Sequence, residues 1–262
     1  MQYFFVSGGK VKSFDSILIT GASSGIGEAL ALYYAEHGVK WLFLSGRNVE
    51  RLQAVKEKCE KSGAVVEAKK IDVTNRAQMA EWIADCNKKV TLDAVFANAG
   101  VSTGEETVEN IYNTFEINVM GVLNTVTPAV ELYRQNESGA KTVVIMASIA
   151  GYHGLAACPS YSATKACVKA YGEALRNQLK AEGIQVNVVC PGFVKSRITD
   201  QNTCPMPFFM SASSAAEIIA ERVAKDVGLI AFPWPMRFAA WLISILPNRI
   251  SDFIYASLPH KV

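Results

Sequence analysis

Short apolar runs alternate with longer stretches of helical periodicity along most of the chain. Ser16–Thr20, Trp41–Ser45, Val65–Ile71, Leu92–Ala97, Thr142–Ala147, Gln185–Cys190 and Leu229–Phe232 read as strands. Between them, Ile26–His37, Val49–Lys61, Arg76–Lys88, Val108–Arg134, Ser160–Glu182 and Ala212–Lys225 read as helices. The strand runs lack the in–out alternation of a half-exposed sheet, which suits parallel strands covered on both faces. Strand–helix–strand repetition with right-handed crossovers predicts an α/β fold: a Rossmann-type doubly wound parallel sheet in three layers, α/β/α, forming a single domain. No internal repeat, low-complexity tract or linker interrupts the pattern. Residues 1–232 read as this domain and residues 233–262 as an apolar C-terminal extension.

Composition narrows the picture. With 262 residues, half of them hydrophobic, the chain can bury a large core. Lys plus Arg number 26 and Asp plus Glu 24, scattered without a basic block, so no nucleic-acid partner is expected. The six cysteines, Cys59, Cys86, Cys158, Cys167, Cys190 and Cys204, form no C-x-x-C pair and no zinc spacing with histidine. They read as reduced thiols in a reducing compartment, and no metal is expected. The apolar start, Met1 to Val6, is too short for a signal peptide and lacks a basic lead. No segment approaches the ~20 apolar residues of a membrane span. A cytoplasmic location is the expectation.

The chemistry starts at Thr20-Gly21-Ala22-Ser23-Ser24-Gly25-Ile26-Gly27, between the first strand and the first helix. Gly21 allows a tight turn. Gly25 removes the Cβ that would hold a pyrophosphate away from the backbone, and Gly27 lets the helix pack close to the strands. The helix then offers free N–H groups and a positive dipole end to phosphates. A glycine-rich surface turn is the plain alternative, but the strand before and the amphipathic helix after favour a dinucleotide site.

This octapeptide resembles the cofactor signature of the short-chain dehydrogenase/reductase family in its single-domain form. Other family marks follow in order. Asp72-Val73 resembles the pair that contacts adenine. Asn98-Ala99-Gly100 resembles the segment that supports the central sheet and lines the cofactor. Pro191-Gly192-Phe193-Val194-Lys195-Ser196 resembles the loop that holds the nicotinamide amide, with Ser where many members have Thr. The resemblance spans about residues 14–200, and implies a homodimer or homotetramer built on the helices near 108–134 and 160–182.

The second strand ends Leu44-Ser45-Gly46-Arg47-Asn48. An NAD-preferring fold usually places an acid there for the ribose 2′-hydroxyl. Gly46 stands in its place, and the Arg47 guanidinium can hold a 2′-phosphate. NADP(H) is therefore the expected cofactor, with NAD(H) as the alternative. Ser23 is not basic, so one charge seen in some NADP-binding members is missing.

Ser148 ends the fifth strand, and Tyr161-Ser162-Ala163-Thr164-Lys165 opens the helix after it. Tyr161 and Lys165, four apart, share one helix face. Hydride reduction of a carbonyl leaves an alkoxide to protonate, and a phenol is a suitable acid. Its free pKa of ~10 is too high for base work at neutral pH, so Lys165 would have to act in a partly desolvated site. Ser148 would hold the substrate oxygen. The resemblance implies that Lys165 bonds the nicotinamide ribose and that Asn118 positions a water for proton relay to it. His37, His153 and His260 are scattered; His153, five residues after Ser148, either borders the substrate site or is an ordinary surface residue.

The expected activity is NADP(H)-dependent hydride transfer between the nicotinamide and a hydrophobic carbonyl or alcohol. The rivals are a non-catalytic NAD(P)-binding sensor and a membrane-associated scaffold. Residues 202–210 are rich in Met and Phe, and read either as a lid over the substrate or as a loop packed on the domain. The tail from Phe232 to Pro247 is aromatic and aliphatic. It could dock on its own domain or a partner subunit, lie in a membrane interface as a peripheral contact, or wall a lipid-like substrate pocket.

Overall fold

The computed structural model describes residues 13–136, 139–201, 205–247 and 249–250. Seven strands, β1 (Ser16–Thr20), β2 (Trp41–Gly46), β3 (Val65–Lys70), β4 (Ala94–Ala97), β5 (Thr142–Met146), β6 (Gln185–Pro191) and β7 (Leu229–Phe232), form one sheet in the order β3-β2-β1-β4-β5-β6-β7. Every pairing is parallel. The helices are α1 (Gly25–Glu36), α2 (Val49–Lys61), α3 (Arg76–Lys89), α4 (Val108–Phe115), α5 (Gly121–Gln135), α6 (Pro159–Leu179), α7 (Ala212–Ala224) and α8 (Trp234–Ile245).

Successive strand residues point to opposite faces, and each face has its own helices. Ile17, Ile19, Leu42 and Leu44 share one core with Leu30 of α1, Leu52 of α2 and Ile219 of α7. Leu18, Phe43, Val95 and Ile145 share the other with Met79 and Trp82 of α3, Val126 and Tyr133 of α5, and Val168 and Leu175 of α6. Both sides of β1 are therefore apolar, which is why its sequence shows no alternation. The result is the expected doubly wound, three-layer sheet. Strand order reverses between β1 and β4, so a crevice opens beyond their C-terminal ends.

Three elements differ from the sequence reading. The fourth strand starts at Ala94 rather than Leu92. The Leu92 N–H donates to the Asn87 side chain at Oδ1 (3.0 Å), and backbone pairing begins only at Asp93, whose N–H is shared between Ser16 O (3.1 Å) and Ser16 Oγ (3.0 Å). The helix expected over 108–134 is interrupted by a π-helical turn, Glu116–Met120, between α4 and α5. The aromatic and aliphatic tail, given no helix in the sequence reading, forms α8. Pro233 is its N-cap and Pro235 lies in its first turn, where the missing N–H has no intrahelical partner to lose.

Candidate active site

A cleft of about 730 Å³ runs along the C-terminal edge of the sheet, from the end of β2 to the end of β6. At its centre is the turn after β1. Gly21 (φ +66°) and Gly25 (φ +60°) adopt left-handed conformations that disfavour any other residue. A Cβ on Gly21 would lie 2.7 Å from Ala99 Cα, so the turn is pressed against the exit of β4. Thr20 Oγ1 accepts from the N–H groups of Asn98 (3.0 Å) and Ala99 (3.2 Å), and Asn98 Nδ2 donates to Thr20 O (2.9 Å). Gly21, Ser23, Ser24, Gly25 and Ile26 line the cleft from this turn, with Asn98, Ala99 and Gly100 opposite. Gly27 does not line it. A Cβ there would meet Asn98 Nδ2 at 2.5 Å, so its place is helix packing.

Helix ends differ in a way that bears on ligands. Asn48, Asn75, Thr107 and Ser211 cap α2, α3, α4 and α7 through their side chains. Ser24, the N-cap of α1, makes no such bond. The first N–H groups of α1 thus remain available to an anion in the cleft.

At the β2 end, Gly46 faces Ser23: a Cβ on Gly46 would lie 3.2 Å from both Cβ and Oγ of Ser23. Ser23 occupies the room an acidic side chain would need. Arg47 and Arg51, both exposed, line this end together with Asn48. Asp72 and Val73 line it from the turn after β3, where Asp72 Oδ1 accepts from the Thr74 N–H (3.0 Å) and hydroxyl (2.9 Å).

At the other end Ser148, Tyr161 and Lys165 meet. Ser148 Oγ accepts from the Ala150 N–H (3.1 Å) and donates to Pro191 O (3.4 Å), so it is fixed by the turn it starts. Lys165 is 4% exposed, and its Nζ donates to Met146 O (2.9 Å) and lies 5.7 Å from the centre of the Tyr161 ring. Burial pushes the Tyr161 phenol up to about 12, opposed by hydrogen bonding with the Ser148 hydroxyl. Burial likewise pulls the Lys165 ammonium down to about 8. From the protein's own groups alone, desolvation thus outweighs any lowering of the phenol by Lys165.

Asn118 sits in the π turn, wholly buried. Its Oδ1 accepts from the Val101 N–H (2.8 Å), and its Nδ2 donates to Val101 O (2.9 Å) and Thr164 Oγ1 (3.1 Å). Both ends of the amide are committed to bracing the strand exit against α6, beside Lys165. π turns recur at functional sites because one extra residue re-aims a side chain.

Pro191, Gly192, Val194 and Ser196 close the cleft. Thr199 fixes this loop, its Oγ1 accepting from the Ser196 N–H (2.9 Å) and donating to Val194 O (2.9 Å). Farther along, Val194 bridges to Met210, which ties down one end of the 202–210 segment; residues 202–204 lie outside the described residues. His153 is not among the lining residues, and His37 stacks on Tyr33. His260 and Cys204 lie outside the described residues. Cys59, Cys86, Cys167 and Cys190 are free thiols. Among the described residues, no group of His, Cys, Asp or Glu is arranged to hold a metal.

Sequence reasoning missed two contributors. Arg51 lies one helical turn beyond Arg47, a spacing that could have identified it. The Glu106 carboxylate accepts from the Ser160 N–H (3.0 Å) and hydroxyl (2.8 Å), tying the loop after β4 to the start of α6. No local signal marks that contact. Taken together, the close-packed glycine turn, the uncapped α1 and the continuous cleft from Arg47 to Tyr161 fit a nicotinamide dinucleotide.

Comparison with known proteins agrees with this geometry. Residues 15–205 match the family described as short chain dehydrogenase. An uncharacterized oxidoreductase of Myxococcus xanthus is 34% identical over 245 residues, covering 92% of this chain and 96% of the relative. An uncharacterized oxidoreductase of Mycobacterium tuberculosis is 28% identical, covering 90% and 96%. Among solved structures, a short chain dehydrogenase/reductase from Burkholderia phymatum in complex with NAD superposes with a TM-score of 0.80 at 24% identity, covering 96% of this chain and 100% of that one. A short-chain dehydrogenase from Sphingobium yanoikuyae in complex with NADPH gives 0.77 at 23%, covering 94% and 97%. The chain belongs to the short-chain dehydrogenase/reductase family of NAD(P)-dependent oxidoreductases.

Proposed function

We propose that this enzyme uses NADP(H) to interconvert a hydrophobic carbonyl compound and its alcohol, with Tyr161 as the acid and base. The observation that carries the reading is the single cleft joining Arg47 and Arg51 at one end to Ser148, Tyr161 and Lys165 at the other. When bound, the nicotinamide supplies or accepts the hydride and, in its oxidised form, adds a positive charge.

Ser148 Oγ holds the substrate oxygen, and Tyr161 gives its hydroxyl proton to that oxygen as the carbonyl carbon receives hydride. The carbonyl π bond breaks, a C–H and an O–H bond form, and the tyrosinate regains a proton from solvent. A phenol held near 12 is fully protonated at neutral pH, which is the form reduction needs. Oxidation needs the tyrosinate, so it depends on the positive charge of Lys165 and of the oxidised cofactor. Asn118 acts as a positioning residue, bracing Thr164 and Val101 beside Lys165.

At the ribose end, two guanidiniums and the absence of an acid favour a 2′-phosphate. Val101, Ile117 and Ile198 give the cleft apolar surface, while Thr103, Asn110 and Asn113 give it polar groups. We assign residues 1–232 to the catalytic domain and 233–262 to its extension. α6 exposes Ala163, Ala166, Cys167, Ala170 and Ala174 along one stripe, and α4 exposes Val108, Tyr112 and Phe115. Such apolar faces support a homo-oligomer built on these helices. Among the described residues, no helix is long and apolar enough to cross a membrane. A cytoplasmic location is part of this reading.

The test is Tyr161→Phe. Turnover of a panel of hydrophobic carbonyls should fall by about 10²–10⁴-fold while NADPH affinity stays within a few-fold. Unchanged turnover would remove Tyr161 from its role.

A further inference from the structure

The catalytic reading leaves α8 unexplained. One side of this helix is docked: Met236 and Ala240 pack on the core shared with α6. Met236 Sδ and Pro233 Cδ stand 2.9 and 3.0 Å from the Cβ that Gly192 would carry. The other side faces outward. Trp234 is 75% exposed, Phe238 52%, Trp241 47%, Leu242 40% and Ile245 58%. At 3.6 residues per turn these five fall within an arc of about 100°, so they form one stripe along the helix. A protein surface does not leave two indoles and three other large apolar side chains in water without a reason.

Beside the stripe is a hollow of about 480 Å³, lined by Tyr152, Lys169, Trp234, Arg237, Phe238 and Trp241. Lys169 Nζ lies 4.9 Å from the centre of the Tyr152 ring and pairs with Glu173 at 3.0 Å. Arg237 lies near the Tyr152 phenol, and its positive charge opposes the raising of that phenol by burial. Residues 227–251 contain no acid, and their cations are Arg237 and Arg249.

We propose that the outer face of α8 binds an anionic phospholipid surface. The helix would lie in the plane of the interface, its stripe at the acyl boundary, with Arg237 and Lys169 meeting headgroup phosphates. The chemistry matches that boundary: indole rings at headgroup depth, apolar side chains below them, cations at the flank and no carboxylate on the helix. At twelve residues, α8 is about 18 Å long, which suits lying on a bilayer and not crossing it. A second copy is the weaker occupant. A two-fold contact sets one patch against itself, and the segment carries no carboxylate to meet Arg237 across it. Because α8 also touches Gly192, docking would carry the cleft next to the bilayer. The proposal stands whether or not Tyr161 is the catalytic acid.

The full chain is floated with vesicles of phosphatidylcholine alone and of phosphatidylcholine mixed with phosphatidylglycerol. Binding is expected to the mixed vesicles, weakening with salt and falling at least about tenfold in the Phe238→Glu, Trp241→Glu double variant. NADPH affinity of that variant, unchanged, shows that the fold persists. Brominated lipids added to the unaltered protein should quench tryptophan fluorescence, a readout that needs no variant. No flotation and no quenching would overturn the proposal. So would a double variant that floats as well as the parent, or an oligomer that the substitutions dissociate without any lipid binding.

Discussion

The turns after β1 and after β5 open on the same cleft, yet they are built in opposite ways. The first works by having no side chains. Gly21 and Gly25 take left-handed conformations, the turn presses on Ala99, and Ser24 leaves the start of α1 uncapped, so backbone N–H groups face the cleft. The second works through side chains. Ser148 is held by Ala150 and Pro191, Lys165 is buried against Met146 O, and Asn118 braces the neighbouring strand exit. A short local run makes the first; residues far apart in sequence make the second. The first should govern cofactor affinity and be insensitive to pH. The second should govern turnover and carry the pH dependence.

The largest separation of the two regions comes from Lys165→Met. Burial lowers the Lys165 ammonium from its usual value to about 8, so folding destabilises its charged form. That cost is fully present below about pH 8 and is lifted as pH rises towards 10.5, where the unfolded chain also loses the proton. Relative to the variant, the parent protein should therefore gain stability between about pH 8 and 10, by up to about 3 kcal/mol; the buried thiols, raised in both proteins, cancel in that difference. Above about pH 10 the raised Tyr161 phenol acts the other way, because the unfolded chain ionises first. Denaturant melts across this range check the sign; a parent slope that persists in the variant would separate Lys165 from it. A smaller effect belongs to Gly21→Ala. A left-handed φ of +66° and the close approach to Ala99 should cost about 1–3 kcal/mol, read as weaker NADPH binding and a lower melting temperature. The gain conferred by Lys165 above pH 8 should remain. Its loss would show that the two regions are not independent.

Much of this was legible in the sequence, for local reasons. Buried parallel strands are continuous apolar runs, so most strand limits were set within a residue or two. The glycine turn and the Tyr161–Lys165 spacing are short motifs whose geometry follows from one turn or one helix. The π turn was not legible, because an extra residue hardly disturbs the apolar period of 108–134. The commitments of Asn118 to Thr164 and of Glu106 to Ser160 join residues 46 and 54 apart, which no local pattern reports. α8 was visible as an apolar tail, but its division into a docked face and an exposed face depends on what it packs against. The direction of the Tyr161 shift depends on burial, which the sequence does not display.

The central claim is a nicotinamide cleft tuned for a 2′-phosphate. It is tested most directly by titrating the enzyme and its Arg47→Ala variant with NADPH and with NADH, read by nicotinamide fluorescence. A charge-assisted bond worth about 1.5–3 kcal/mol predicts NADPH binding tighter by roughly tenfold or more, with most of that preference lost in the variant. Equal or tighter binding of NADH would contradict the reading of Gly46 and Arg47, and binding of neither would contradict the cleft itself.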